Sequence, residues 1–246
     1  MPTATDASLV AKQCYISPPM KLVIFDCDGT LVDSQHAICA AMEHAFTTLA
    51  LPPPSRAEIL GVVGLSLPQT FEVLAAQQAP SVQAALAEHY RSDFPAKRQQ
   101  PALHDPLYPG MGEVVAALAR RGDVLLGIAT GKSRRGVARL LDREGWQQHF
   151  ITIQTADDHP SKPHPSMILS AMAETGVGPD ATVMVGDTSY DIEMARGAGV
   201  GAIGVGWGYH EVERLKLAGA DTIIATSDAL VAAIDAQLTI REPAST

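Results

Sequence analysis

From Met20 onward the chain alternates short apolar runs with stretches of helical periodicity, and that alternation limits its fold more than any other feature. The runs are KLVIF (21–25), VLLGIA (124–129), FITIQ (150–154), TVMVG (182–186), GAIGV (201–205) and DTIIA (221–225). Each is short and rich in β-branched or apolar residues, as a buried strand requires. Between them EVVAALARRG (113–122), RRGVARLLDREG (134–145) and PSMILSAMAETG (165–176) have helical spacing. They end in Gly122, Gly145 and Gly176, where a helix C-terminus favours a left-handed residue. Such a chain buries its apolar runs in a mainly parallel sheet with helices on both faces. Sheets of that kind bind ligands at the carboxyl ends of their strands.

The alternation stops between about residues 34 and 104. QHAICAAMEHAFTTLAL (35–51) has an apolar helical stripe halted by Pro52, Pro53 and Pro54, and SRAE (55–58) has the spacing of a capping box. PQTFEVLAAQ (68–77) and SVQAALAEHYRSDF (81–94) are helical as well, and the Pro-rich PALHDPLYPG (101–110) returns the chain to the alternating region. The expected organisation is an α/β core of residues 20–33 and 105–246, a helical insertion over 34–104, and an N-terminal tail over 1–19. Met1–Pro19 and Glu242–Thr246 read as loose ends.

Eighteen Lys and Arg against 27 Asp and Glu give a net charge of −9, which disfavours nucleic-acid binding through a general basic face. A small anionic substrate stays open, because a metal and a few local cations reverse the field inside a cleft. No apolar run is long enough to span a bilayer, and the first twenty residues have no signal-peptide pattern. Cys14, Cys27 and Cys39 match no metal spacing and fit reduced thiols, with Cys27 a small packing residue. A cytoplasmic location is expected.

The first strand stops at Asp26 and Asp28, separated by one residue and followed at once by Gly29 and Thr30. Two like charges so close are unfavourable in a buried place unless a cation lies between them, though Asp-x-Asp-Gly also occurs as a plain acidic turn. After the second strand, IATGKSR offers the Thr130 hydroxyl and the Gly131 N–H at the start of a helix, a natural anion site. After the third, Lys162 precedes Pro163 and Pro165; a lone loop lysine is ordinarily solvated. After the fourth come Asp187 and Asp191, the latter equally readable, with Ser189, as a helix cap. In a parallel sheet these four strand ends share one edge. Together they supply oxygen ligands for a hard divalent ion, an anion cradle and a cation, which suits phosphoryl transfer.

The motifs DCDGTLVDS, ATGKS, SKPHP and GDTSYDIEMARGAG, in that order, resemble those of the haloacid dehalogenase-like superfamily. The similarity is greatest to the phosphoglycolate phosphatase-type branch with a helical cap inserted after the first strand, and it runs from Met20 to about Asp235. The resemblance implies a Rossmann-like core and an aspartyl-phosphate mechanism. By position, Asp26 matches the nucleophile and Asp28 the general acid/base. Mg2+ would be held by Asp26, Asp187 and the Asp28 carbonyl, with Asp191 supporting the metal. Thr130 and the Gly131 N–H match phosphate-holding positions, and Lys162 the cation that neutralises nucleophile and phosphate together. Family members often carry Leu or Met in place of Cys27 and Asn in place of Gly131.

Dehalogenase chemistry lacks the carboxylate that Asp28 supplies, and an ion-pump domain would need membrane spans. A phosphosugar mutase or a pyrophosphatase of the same superfamily is the closer alternative. Arg56, Arg91, Lys97 and Arg98 in the insertion are available to a mutase, though they read more simply as solvated helix charges. A catalytically silent binding protein should have lost one of Asp26, Asp28, Lys162 or Asp187, and all four are present. The mostly apolar LGVVGLSLPQTF (60–71) resembles the cap segment that faces the site and contains no clear reader of a sugar or base. The expected partner is a small phosphorylated metabolite such as 2-phosphoglycolate, with no nucleic acid or membrane and a homodimer as a possible assembly.

Overall fold

A computed structural model of the protein describes residues 19–98 and 105–241. Nearly all of the expected tail, the last residues of the insertion and the C-terminal end lie outside that range. Six strands form one parallel sheet: β1 (Lys21–Phe25), β2 (Val124–Thr130), β3 (Phe150–Thr155), β4 (Thr182–Gly186), β5 (Gly201–Val205) and β6 (Thr222–Ile224). Their order is β3-β2-β1-β4-β5-β6. The chain therefore runs outward from β1 to β3, then returns to lay β4 on the other side of β1. Strand order reverses between β1 and β4, and a crevice opens there beyond the strand ends.

Side chains of β1 alternate between the two faces, as a period of two demands. Val23 and Phe25 pack with helices α5 (Met111–Ala119), α6 (Arg134–Glu144) and α10 (Leu230–Arg241). Leu22 and Ile24 pack with α7 (Ser166–Thr175), α8 (Ser189–Ala198) and α9 (Val212–Leu217). With both faces covered, β1 is free to be continuously apolar.

The insertion holds α1 (Gln35–Thr48), α2 (Arg56–Leu60), α3 (Leu67–Leu74) and α4 (Pro80–Arg98). They enclose a third apolar cluster around Met42, Phe46, Ile59, Phe71 and Leu86. Ser55 and Glu58 form the reciprocal capping box expected of SRAE. Gly145 and Gly176 are left-handed C-caps as expected. Gly122 is not: α5 ends at Ala119 with Arg120 as a right-handed C-cap, so this glycine follows the helix without closing it. Among the described residues no helix is long and apolar enough to cross a membrane.

Candidate active site

Asp26 and Asp187 follow β1 and β4 directly, so the strand-order reversal brings them together although 161 residues separate them. Carboxylate oxygens of Asp26, Asp187 and Asp191 lie within 4.8 Å of one another, and all three residues are buried. The loops around them fix their orientation. The Cys27 N–H donates to Asp26 Oδ1 at 2.6 Å. Asp187 accepts from the Thr30 hydroxyl at 2.9 Å and the Tyr209 N–H at 2.8 Å. Trp207 Nε1 donates to the Thr30 carbonyl at 3.2 Å, tying the loop after β5 to the turn after β1. Gly29, at φ +89°, and Gly208 flank Asp187 so closely that a Cβ on either would come within 2.1 Å of it. Only glycine leaves that carboxylate room.

Lys162 is fully buried, unlike the solvated loop lysine it resembles in sequence. Its Nζ lies 2.6 Å from Asp191 Oδ1 and 3.0 Å from Asp26 Oδ2. Burial works against its charge, but the two carboxylates outweigh burial and hold its pKa above the usual lysine value. Asp26 Oδ2 accepts no well-aligned hydrogen bond despite that contact. Burial pushes the Asp26 carboxyl up to about 6, with Lys162 pulling the other way. Burial, then the charges of Asp191 and Asp26, raise Asp187 well above the carboxylate range. Carboxylates this crowded favour a bound cation, and their hard oxygens suit a magnesium-type ion.

Asp191 is a helix cap and also the partner of Lys162. Its Oδ2 accepts from the Thr188 N–H at 3.0 Å and hydroxyl at 2.7 Å, closing a capping box at the start of α8, while Oδ1 holds Lys162. The N-cap is thus Thr188, not Ser189, and both Asp191 oxygens have protein partners.

Asp28 faces elsewhere. Its Oδ1 accepts from the Ser34 hydroxyl and from Lys132 Nζ. Lys132 is the residue sequence reasoning missed: it stands inside ATGKS, is almost fully buried, and adds a second cation to the site. The signal was its place two residues after Thr130. Thr130 is close enough to Asp26 to pull its carboxyl downward against burial, and Thr130 and Gly131 line the cavity that Asp26 and Asp28 also line. Gly131 meets the insertion: a Cβ there would lie 2.6 Å from the Gly64 carbonyl oxygen, so the asparagine that the resemblance leads one to expect has no room. Cys27 is a packing residue in the core, its thiol pushed up by burial.

The insertion seats on the core through residues 61–66. The Ser66 N–H donates to Ser161 Oγ at 2.7 Å, and the Tyr190 hydroxyl donates to the Gly61 carbonyl at 3.0 Å. His210 Nδ1 accepts from the Ser189 N–H at 3.0 Å, which leaves Nε2 to carry the proton and donate to Gly61 O at 3.2 Å. Burial, then the Arg214 charge, lower His210 to about 4, opposed by the Gly61 hydrogen bond and by Asp191. Unfolded, the ring titrates near 6.5. Between those values the unfolded chain binds the extra proton, so the stability His210 contributes is complete above about pH 6.5 and lost as pH falls toward 4. Thermal melts from pH 7.5 to 4.5 should show the advantage of the native protein over His210→Gln shrinking across that window. A constant difference would refute this.

Arg56 is paired with Gln35 and Arg91 with Glu88, both on exposed helix surface, while the Lys97 and Arg98 side chains lie outside the described residues.

The family model of haloacid dehalogenase-like hydrolases matches residues 23–205, and the chain belongs to that family. It is a phosphatase of the phosphoric monoester hydrolase class. It is 38% identical over 222 residues to the probable phosphatase IndB of Dickeya dadantii, covering 88% of this chain and 94% of that one. Phosphoglycolate phosphatase of Escherichia coli O157:H7 is 28% identical, covering 86% and 91%. The crystal structure of a hydrolase from Pseudomonas syringae superposes with a TM-score of 0.78 at 25% identity, covering 89% and 99%.

Proposed function

We propose that this phosphatase is magnesium-dependent and moves the phosphoryl group of a small phosphomonoester first to Asp26 and then to water. The supporting observation is the buried group of Asp26, Asp187 and Lys162 at the strand-order reversal. In this reading Asp26 attacks phosphorus while Asp28 protonates the departing oxygen, so one P–O bond forms as the other breaks. Asp28, now a carboxylate, takes a proton from water as that water attacks the phosphoenzyme and frees Asp26. Thr130 and the Gly131 N–H hold phosphate oxygens, and Lys162 offsets the charge that gathers between Asp26 and the phosphoryl group. Lys132 and Ser34 orient Asp28. Mg2+, when bound by Asp26, Asp187 and the Asp28 carbonyl, supplies positive charge to the phosphoryl oxygens. Residues 34–104 act as a cap over the site, and the buried free thiols of Cys27 and Cys39 accord with a cytoplasmic setting. The described residues of the cap contribute no buried cation to the cavity, which favours hydrolysis over a mutase's second phosphate site. The substrate expected from the sequence is a small phosphomonoester such as 2-phosphoglycolate, and the residues named above act on its phosphate end.

Mg2+ at about a hundredfold excess over its Kd should stabilise the fold by about 2.7 kcal/mol. For a chain of this size that raises Tm by roughly 5–10 °C. Chelation should reverse the shift and stop turnover, and Ca2+, less demanding of octahedral geometry, should support turnover poorly. Full phosphatase activity in excess chelator would overturn the metal assignment.

A further inference from the structure

The cavity that contains Asp26 and Asp28 has a volume of about 560 Å³. That is within the roughly 300–1,000 Å³ that encloses drug-sized ligands, far more than a two-carbon acid fills. Its two walls differ in chemistry. The strand ends contribute Thr130, Gly131 and Lys132, whereas the helical insertion contributes Ile38, Met42, Val62, Leu65, Tyr90 and Phe94. Tyr90 and Phe94 are stacked with ring centroids 5.2 Å apart, and Lys132 Nζ lies 5.9 Å from the centre of the Phe94 ring. Leu65 lines the cavity half-buried and does not belong to the insertion's apolar cluster, so its side chain is not committed to that core.

A leaving-group carboxylate against this wall would lose water and meet mainly apolar groups, with only neutral hydroxyls such as those of Ser66 and Thr70 beside it, which do not offset a desolvated charge. Arg91 is the one cation that the insertion's described residues bring to the cavity, and it is exposed beside Glu88 at 3.5 Å. An apolar body gains there in proportion to the area it buries, and a flat one meets the aromatic faces. Arg135 and Arg139, four residues apart on α6, line the core side together with Lys132, so most of the cavity's positive charge stands opposite the apolar wall.

We infer that the substrates are phosphomonoesters of bulky, largely apolar alcohols of aryl size, with Leu65 a residue that selects them. The inference rests on the phosphatase reading above and names its substrate class.

The test compares kcat/KM in Mg2+ for 2-naphthylmethyl phosphate, benzyl phosphate, ethyl phosphate and 2-phosphoglycolate. All four release primary alcohols of similar acidity, each needing the proton that Asp28 gives, so differences report on the pocket and not on leaving-group acidity. Both arylmethyl esters should exceed 2-phosphoglycolate by at least about 10-fold, the scale of apolar-pocket discrimination. Leu65→Ala should lower the benzyl value, and Leu65→Arg, which adds a cation, should shift the benzyl-to-phosphoglycolate ratio at least about 10-fold toward the acid. Phe94→Leu, which removes one aromatic face, is the second variant should the Leu65 changes impair folding, and it should lower the naphthylmethyl value most. Equal or faster turnover of 2-phosphoglycolate by the native protein would overturn the inference and leave the phosphatase reading standing. No turnover of any of the four would remove both. Ratios unchanged in all the variants would remove the selecting role given to this wall.

Discussion

Asp26→Asn should abolish turnover and never become phosphorylated, whereas Asp28→Asn should turn over slowly and accumulate phosphate on Asp26. The two carboxylates are only two residues apart, yet their surroundings differ. Asp26 lies beside Lys162 and Asp187 with one oxygen lacking a well-aligned hydrogen bond, and Asp28 is held by Ser34 and Lys132. In the proposed mechanism, removing the attacking oxygen stops the first step outright. Removing the acid/base leaves attack possible on a substrate whose leaving group needs no proton, such as 4-nitrophenyl phosphate. It then blocks activation of water for the second step. General acid–base catalysis is typically worth about 100- to 10,000-fold, so the residual rate of Asp28→Asn should fall by that range. Intact-protein mass spectrometry after rapid acid quench reads the result as one added phosphoryl group on Asp28→Asn and none on Asp26→Asn. Phosphate on the Asp26→Asn protein would reverse the two roles.

Lys162→Met should cost both stability and activity. The side chain is fully buried between Asp26 and Asp191, and methionine fills similar volume without the charge. Breaking a buried pair by removing one partner typically costs about 3–5 kcal/mol, because the charge left behind is uncompensated. At roughly 2–4 °C per kcal/mol for a protein of this size, Tm should fall by about 6–20 °C. Loss of a preorganised cation at the phosphoryl group should lower kcat by roughly 100- to 1,000-fold, the scale seen for single electrostatic donors. Saturating Mg2+ should restore part of the Tm by neutralising Asp26, but not the rate. The companion change Asp191→Asn breaks the same ion pair from the other side and removes an acceptor of the α8 capping box, so it should also lower Tm. A Lys162→Met protein that melts within about 2 °C of the native one and keeps a tenth of its rate would show that the buried pair is incidental.

What was legible in the sequence was whatever depends on near neighbours. Strands β1, β4 and β5 have the bounds their apolar runs suggest, because a strand buried on both faces must be continuously apolar and is bounded by turn residues. Gly145 and Gly176 end their helices because a left-handed cap is a local backbone demand, and Ser55 and Glu58 satisfy each other within one turn. The four strand-end motifs were likewise visible, since a parallel sheet places all of them on one edge whatever the strand order. Gly122 shows the limit of local reasoning: a glycine after a helical pattern is permitted, not required, to close it.

The tertiary structure decided which of those groups meet. Only the reversal of strand order between β1 and β4 sets Asp187 against Asp26. Only that packing buries Lys162, which nothing in SKPHP distinguishes from a solvated lysine. The Lys132–Asp28 pair spans two strand ends 104 residues apart, so no spacing rule could have found it. Asp191 resolves into cap and lysine partner because its two oxygens point to different neighbours, a matter of side-chain direction that sequence does not carry. Gly131 is glycine because the insertion's Gly64 carbonyl lands on it, and that contact exists only once two separately folded apolar clusters have docked. Periodicity records the face a residue presents; the partner it finds across the crevice depends on how the whole sheet is wound.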